Sequence, residues 1–199
     1  KGELLKFTRF YSITNIDWED ITFDGDKYFI ADVGNNYATR KNLTIYILDK
    51  KLNLRDSIKI KYKNQKSFDY LKLNSFDAEA LISIGDSLAI FSKNRKNLSS
   101  EFYIFPKIAG EYKLEPIKSF NVNSLITGGD YNEKLKLLAL SAYDFDSDEQ
   151  FIHVLKNFDL NKINYLNFTK YTLPIRDVQI EAIKIIDNKT FWLTSESER

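Results

Sequence analysis

The chain has 199 residues, 43% of them hydrophobic and 15% aromatic, with a formal net charge of +1. This is the composition of a folded domain with room for a sizeable core, not of a disordered segment. The near-neutral balance gives no general attraction to nucleic acid or anionic membrane, and the absence of Cys excludes disulfides, thiol nucleophiles and zinc-thiolate centres.

No apolar run approaches the ~18 residues of a membrane span, so no transmembrane segment is expected. A chain without Cys or Met fits the mature, trimmed form of an exported protein, whether periplasmic, cell-surface or secreted. No Gly/Ser linker divides it, and one domain over residues 1–199 is expected, trimmed at both ends.

Taken in chain order, the elements are short strands joined by turn residues. The first repeat offers strands over 18–23, 27–33, 43–48 and 57–62, with the hairpin signal Asp24-Gly25-Asp26 between the first two. The second offers 78–84, a turn at Gly85-Asp86, then 87–92, 102–105 and 117–122. The third offers Asp130-Tyr131, a turn at Asn132-Glu133, then 135–141, 151–155 and 166–173. The fourth offers 181–186, a turn at Asp187-Asn188, and 190–194. Helical periodicity is absent apart from a possible single turn at 70–73.

An acidic phrase opens the repeats. Asp17-Trp18-Glu19-Asp20-Ile21 returns as Asp77-Ala78-Glu79-Ala80-Leu81 and as Gln179-Ile180-Glu181-Ala182-Ile183, with a weaker copy at Thr127-Gly128-Gly129-Asp130-Tyr131. A period near 50 residues with all-β content predicts a β-propeller of four detectable blades, five being possible. Leu5-Lys6-Phe7-Thr8-Arg9-Phe10 repeats the pattern of Leu166-Asn167-Phe168-Thr169-Lys170-Tyr171. Residues 4–13 are therefore expected to pair with the C-terminal blade and close the ring, with that blade's third strand following Arg199 in a longer protein.

The phrase Asp17–Ile21, the run Ala31-Asp32-Val33-Gly34-Asn35-Asn36, Arg40 and the later copies together resemble a group of exported bacterial β-propeller proteins without an assigned activity. The resemblance runs over nearly the whole chain and implies a propeller fold and export. More distantly, the blade openings resemble phytase-like propellers, which implies a possible calcium site at Glu19, Glu79 and Glu181.

On their own chemistry, Glu19, Glu79, Asp130 and Glu181 form a candidate ring of carboxylates about the channel. Converging carboxylates need a bound cation such as Ca²⁺, paired Lys or Arg, or raised pKa values. They can equally accept backbone hydrogen bonds and set blade spacing. The loops after the second strands differ between repeats and surround the channel mouth. They supply Asp32, Asn35, Asn36 and Arg40 in the first blade, Lys93 and Asn94 in the second, Tyr143 and Asp144 in the third, and Glu196 in the fourth, as candidates for binding a ligand or protein. Gly34-Asn35-Asn36 reads equally as a turn needing positive φ. His153, the only histidine, falls on a third strand, away from any triad position. Trp18 and Trp192 read as inter-blade core.

Two functions fit these residues. One is a binding module with Ca²⁺ at the channel. The other is a metal-dependent hydrolase, phosphoesterase- or lactonase-like, in which the inner carboxylates hold the cation and Lys93 or Arg40 stabilises developing charge.

Overall fold

The computed structural model describes residue 3, residues 7–176 and residues 178–196. The chain runs through β1 (Trp18–Phe23), β2 (Lys27–Asp32), β3 (Thr44–Asp49), β4 (Leu54–Tyr62), β5 (Ala78–Ile84), β6 (Ser87–Ser92), β7 (Ser99–Pro106), β8 (Gly110–Leu114) and β9 (Lys118–Asn121). It continues through β10 (Leu125–Asn132), β11 (Leu137–Tyr143), β12 (Gln150–Lys156), β13 (Thr169–Leu173), β14 (Gln179–Ile185) and β15 (Phe191–Glu196). These strands build four sheets, ordered β1-β2-β3-β4-β8, β5-β6-β7-β9, β10-β11-β12-β13 and β14-β15.

The up-and-down order within each sheet follows from tight turns. Gly25 and Gly85 adopt positive φ, 97° and 50°, in the first two innermost hairpins, where side chains are disfavoured. In the fourth, the Asp187 carboxylate accepts the backbone N–H groups of Lys189 and Thr190, an Asx turn that needs no glycine.

Successive sheets stack face to face through three apolar layers. Phe29, Ile45 and Ile58 meet Leu81, Ile90 and Tyr103 between the first and second sheets. Phe91, Phe102 and Phe120 meet Leu138, Leu140 and Phe151 between the second and third. Ala139, Ile152 and Val154 meet Ile183 and Ile185 between the third and fourth. Each fully buried large side chain contributes about 1.5–3 kcal/mol of transfer free energy, which makes these layers the main cohesion between sheets. β6 and β11, inside the second and third sheets, are buried almost throughout, as they must be when covered on both sides.

Several expectations are corrected. The run 110–114, where the sequence reading places no strand, forms β8 and adds in parallel to β4, so the second repeat lends a strand to the first sheet and covers its outer edge. No helical turn forms at 70–73; the described residues carry one 3₁₀ segment, Leu160–Tyr165, capped at its C-terminal end by the Lys118 ammonium, which donates to the carbonyls of Ile163 (2.8 Å) and Leu166 (2.6 Å). Trp192 lies on the far face of the fourth sheet and is 69% exposed, not core. Residues 7–13 carry no strand, so the expected pairing with β14-β15 is absent there; residues 4–6 lie outside the described residues. Among the described residues, no helix is long and apolar enough to cross a membrane.

His153 is buried, its Nε2 2.7 Å from the equally buried Ser124 hydroxyl, with the Phe168 ring edge-on to the imidazole. The pair cannot receive a substrate. Burial, then the nearby Lys170 charge, pulls the imidazole down to about 4. The expected result in proton NMR is a single histidine C2–H signal that does not shift between pH 8 and 5; a midpoint near 6.5 would contradict this packing.

Candidate functional site

Each innermost strand carries a β-bulge at the same place. The register against the second strand skips one residue between Trp18 and Asp20, Ala78 and Ala80, Ile126 and Gly128, and Ile180 and Ala182. The extra residues are Glu19, Glu79, Thr127 and Glu181. A bulge locally re-aims a side chain, and here the same device recurs in all four sheets. Thr127, not Asp130, is thus the third-sheet counterpart of the glutamates. Its hydroxyl donates to the Ile180 carbonyl at 2.5 Å and lies 3.0 Å from the Ser141 hydroxyl.

Asp130 stands three residues beyond the bulge and joins sheets: Oδ2 accepts the Ile185 N–H and Oδ1 the Lys184 ammonium, both at 2.8 Å. In the sequence its acid mimics the repeated glutamate. The signal that locates the bulge is the small residue after it, Ala80, Gly128 and Ala182. Asp20 also joins sheets: its Oδ2 accepts the N–H groups of Leu81 (2.8 Å) and Gly129 (3.3 Å).

Glu19, Glu79 and Asp77 converge, offering carboxylate oxygens all within 4.8 Å of one another. Asp77 and Glu79 are buried. Two cations serve them. The Lys93 ammonium, 3% exposed, lies 2.8 Å from Glu79 Oε1 and 2.9 Å from Oε2. The Arg95 guanidinium binds Asp77 Oδ2 and reaches Asn36 Oδ1 at 2.6 Å. Asp77 Oδ1 accepts the Asn35 N–H at 2.6 Å. The Lys93 ammonium also sits 4.9 Å from the centre of the Tyr143 ring.

Acid exceeds base here, and the proton affinities show it. Burial, then the neighbouring Glu79, Asp17 and Asp77, pushes Glu19 up to about 10. Burial pushes Glu79 up to about 8 even against Lys93, with Asp77 and Glu181 adding to it. Asp17 is raised as well, by burial and by Asp77. Gly34 permits this crowding. Its φ is not positive; instead a Cβ there would stand 2.0 Å from Glu19 Oε1 and 2.4 Å from Asp17 Oδ2. Gly34 is therefore a close-approach glycine, not the positive-φ turn that the sequence also allowed.

The remaining candidates divide. Asp32 and Arg40 form a brace: Arg40 donates to Asp32 Oδ1 and to the Gly34 carbonyl, each at 2.7 Å, and Asp32 Oδ1 accepts the Asp17 N–H at 3.1 Å. Asn35 ties this loop to the second sheet through Asp77 and the Phe76 carbonyl. Asn94 turns outward to Ser99 and Glu101. Glu181 accepts a hydrogen bond from Gln179. Glu196 pairs with Gln179 through the backbone of β15.

Asn36, Arg95 and Asp144 instead line a groove of about 460 Å³ at the mouth, together with Tyr37, Leu98 and Phe145. Arg95 is the link, since it touches both the groove and the carboxylates beneath. Sequence reasoning misses Tyr37, Leu98 and Phe145; an exposed aromatic in a loop has no periodic pattern to betray it, although Arg95 directly after the second strand is a visible cue.

No protein-family model matches the chain, and no curated protein sequence matches it significantly. Solved structures do. An exo-β-1,3-galactanase from Phanerochaete chrysosporium, in complex with β-1,3-galactotriose, superposes with a TM-score of 0.58 at 13% identity, covering 90% of this chain and 43% of that one. Its galactose complex gives 0.57 at the same identity and coverage. The likeness is one of fold. It supports a β-propeller-like, all-β architecture, and the chain spans less than half the length of the galactanase. A prolyl endopeptidase matches at a TM-score of 0.43.

Proposed function

We propose that this chain is the ligand-binding portion of an exported propeller protein, taking a small ligand in the groove at the channel mouth. The observation that supports this is the groove itself: aromatic and aliphatic side chains above a buried ion network to which Arg95 connects them. Concave, mostly apolar sites with a few fixed polar groups are the usual small-molecule sites. The four sheets read as four blades. The gap in the ring then falls between the fourth and the first, where Ile21 and Phe23 of β1 are 54% and 45% exposed and the described residues give the last sheet two strands, β14 and β15. The N-terminal segment lies at this opening, its Phe10 ring edge-on to Trp18 at 5.8 Å.

Ca²⁺ enters the reading in second place, at Glu19, Asp77 and Glu79. The donors are of the right type, oxygen only. Both oxygens of Glu79 and both of Asp77 already have partners, however, so Ca²⁺ binds there in competition with Lys93. The hydrolase alternative gains no specific support, because Arg40 is committed to Asp32 and Gly34, and Lys93 to Glu79.

The test is a fragment screen by ¹H–¹⁵N NMR. Hits are expected to shift the amides of residues 36–37, 72–73, 95–98 and 144–146 together. Hits that map consistently elsewhere would remove the groove as the site.

A further inference from the structure

The chemistry of the groove narrows the class of ligand, provided that the groove is the binding site proposed for this chain. One wall comes from loops of the first blade and carries Lys72 and Leu73; the other comes from the third-blade loop with Asp144, Phe145 and Asp146. Between them lie Arg95 and Leu98 of the second blade. One basic group therefore stands on one wall and two acidic groups on the other, with the Arg95 guanidinium and Leu98 between them.

The groups are set for a ligand. Arg95 commits N–H groups to Asp77 and Asn36 and its Nη2 also lies 3.8 Å from Glu79 Oε1, which leaves part of the five-donor fork for the groove that it lines. Asp144 Oδ1 accepts the N–H groups of Asp146 and Ser147, each at 2.9 Å; these bonds hold its carboxyl low, and the Ser147 hydroxyl and the Lys170 charge add to this. Phe145 is 69% exposed and Leu73 59%.

Leu98 supplies a second, independent sign. The loops after the second strands of the first three blades each contain a residue in the left-handed region: Ala38 at φ 58°, Leu98 at 56° and Asp148 at 55°. The Leu98 N–H closes its turn on the Asn94 carbonyl at 3.0 Å. Glycine or Asn is the unstrained choice at such a position, and a bulky residue there is an outlier. The leucine that occupies it faces the groove. Strain retained at a concave surface points to a use for the side chain.

We infer that the groove binds a short, free, zwitterionic peptide with an apolar side chain. The carboxylate end lies toward Lys72 and Arg95, the amine toward Asp144 and Asp146, and the apolar side chain over Leu98 and Phe145. The groove's volume lies within the range of small-ligand sites and suits a ligand of a few residues, and capture of a peptide through a free chain end is a recurring recognition mode.

The experiment is isothermal titration calorimetry with the dipeptide Leu-Phe, its N-acetyl form and its C-terminal amide. The free dipeptide is expected to bind at least about 10-fold more tightly than either capped form, about 1.4 kcal/mol per cap. Asp144→Asn keeps the Oδ1 turn and is expected to weaken the free dipeptide to the level of the acetylated one, with no effect on the acetylated one. Lys72→Gln is expected to do the same with respect to the amide. Leu98→Gly relieves the backbone, leaves the protein folded, and is expected to weaken all three peptides. Equal affinity for free and capped forms, or no heat with any peptide at about 10 mM, overturns the inference. If fragments still perturb the groove amides while dipeptides do not bind, the peptide assignment falls and the groove stands; if neither binds there, both fall.

Discussion

Asp20→Ala is expected to lower the unfolding free energy by about 2–5 kcal/mol. The reason is topological. Asp20 belongs to the first sheet, yet its Oδ2 accepts the N–H of Leu81 in the second and of Gly129 in the third. Leu81 and Gly129 are buried, so the two amides have no water to turn to once the carboxylate is gone. Each buried N–H left without an acceptor costs about 1–3 kcal/mol. Gly129 also sits where the inner strands of the second and third sheets approach closely, since a Cβ there would stand 3.1 Å from Ala80 Cβ. Asp20→Asn is the control. An amide oxygen in place of Oδ2 keeps both sheet-to-sheet bonds and forfeits only the local bond from Ile21 to Oδ1. It also removes a group that burial holds up at about 7, against the opposing backbone donors. Urea titrations at pH 7.5 should therefore rank wild type and Asp20→Asn close together and Asp20→Ala well below; a loss under about 1 kcal/mol for the alanine variant would show that Asp20 does not bind the blades together.

The strands were legible because their signals are local. Alternation, Asp24-Gly25 and Gly85-Asp86 mark hairpins that the chain forms whatever lies around them. The addition of β8 to β4 was not legible. Gly110–Leu114 has a strand's composition, but nothing in it says that the parallel edge of another repeat is its partner; that follows only once the first sheet's outer edge is in place. The same limit applies to Trp192, whose exposure depends on what covers the far side of the fourth sheet.

For the site, the glutamates at positions 19, 79 and 181 could be found because a bulge in a repeated strand must recur at one position. Asp130 misled because an acid three residues along resembles the phrase, while the bulge residue, Thr127, does not. The counter-ions were half visible. Lys93 and Arg95 follow the second strand directly, but that Lys93 folds inward onto Glu79 while Asn94 turns outward is decided by alternation at the strand end, one residue apart. The three groove-lining residues Tyr37, Leu98 and Phe145 belong to loops from three different repeats, and only the stacking of the sheets brings them together.

Lys93→Met tests the ion network and the cation site at once. With the ammonium gone, Glu79 keeps its burial and its neighbours Asp77 and Glu181 but loses the partner at 2.8 Å. Removing one member of a buried pair costs about 3–5 kcal/mol when the other stays ionised. Here it need not stay ionised, and the pH decides. Glu79 sits at about 8 in the folded wild type against an ordinary value of 4.5, and Glu19 at about 10. Groups raised in this way bind more protons folded than unfolded. Their contribution is whole below about 4.5 and is lost as pH rises toward about 8 for Glu79 and about 10 for Glu19, at about 1.4 kcal/mol per pH unit for each group within its window. Without Lys93 the Glu79 value moves higher still, so the loss continues further up the pH scale. The gap between wild type and Lys93→Met should accordingly be small at pH 6, where Glu79 carries a proton in both, and widen by pH 9. A gap of the same size at both pH values would mean that Lys93 acts through packing and not through its charge. Calcium then separates the two uses of the carboxylates. A divalent ion competes with Lys93 in the wild type and meets no such competitor in the variant, so CaCl₂ at 100 times the dissociation constant should return about 2.7 kcal/mol to Lys93→Met at pH 9 and less to the wild type. Glu79→Gln in the same background should abolish that gain. If calcium shifts neither melting curve, the three carboxylates serve only as a proton-sharing anchor for Lys93 and Arg95, and the groove works over a floor without metal.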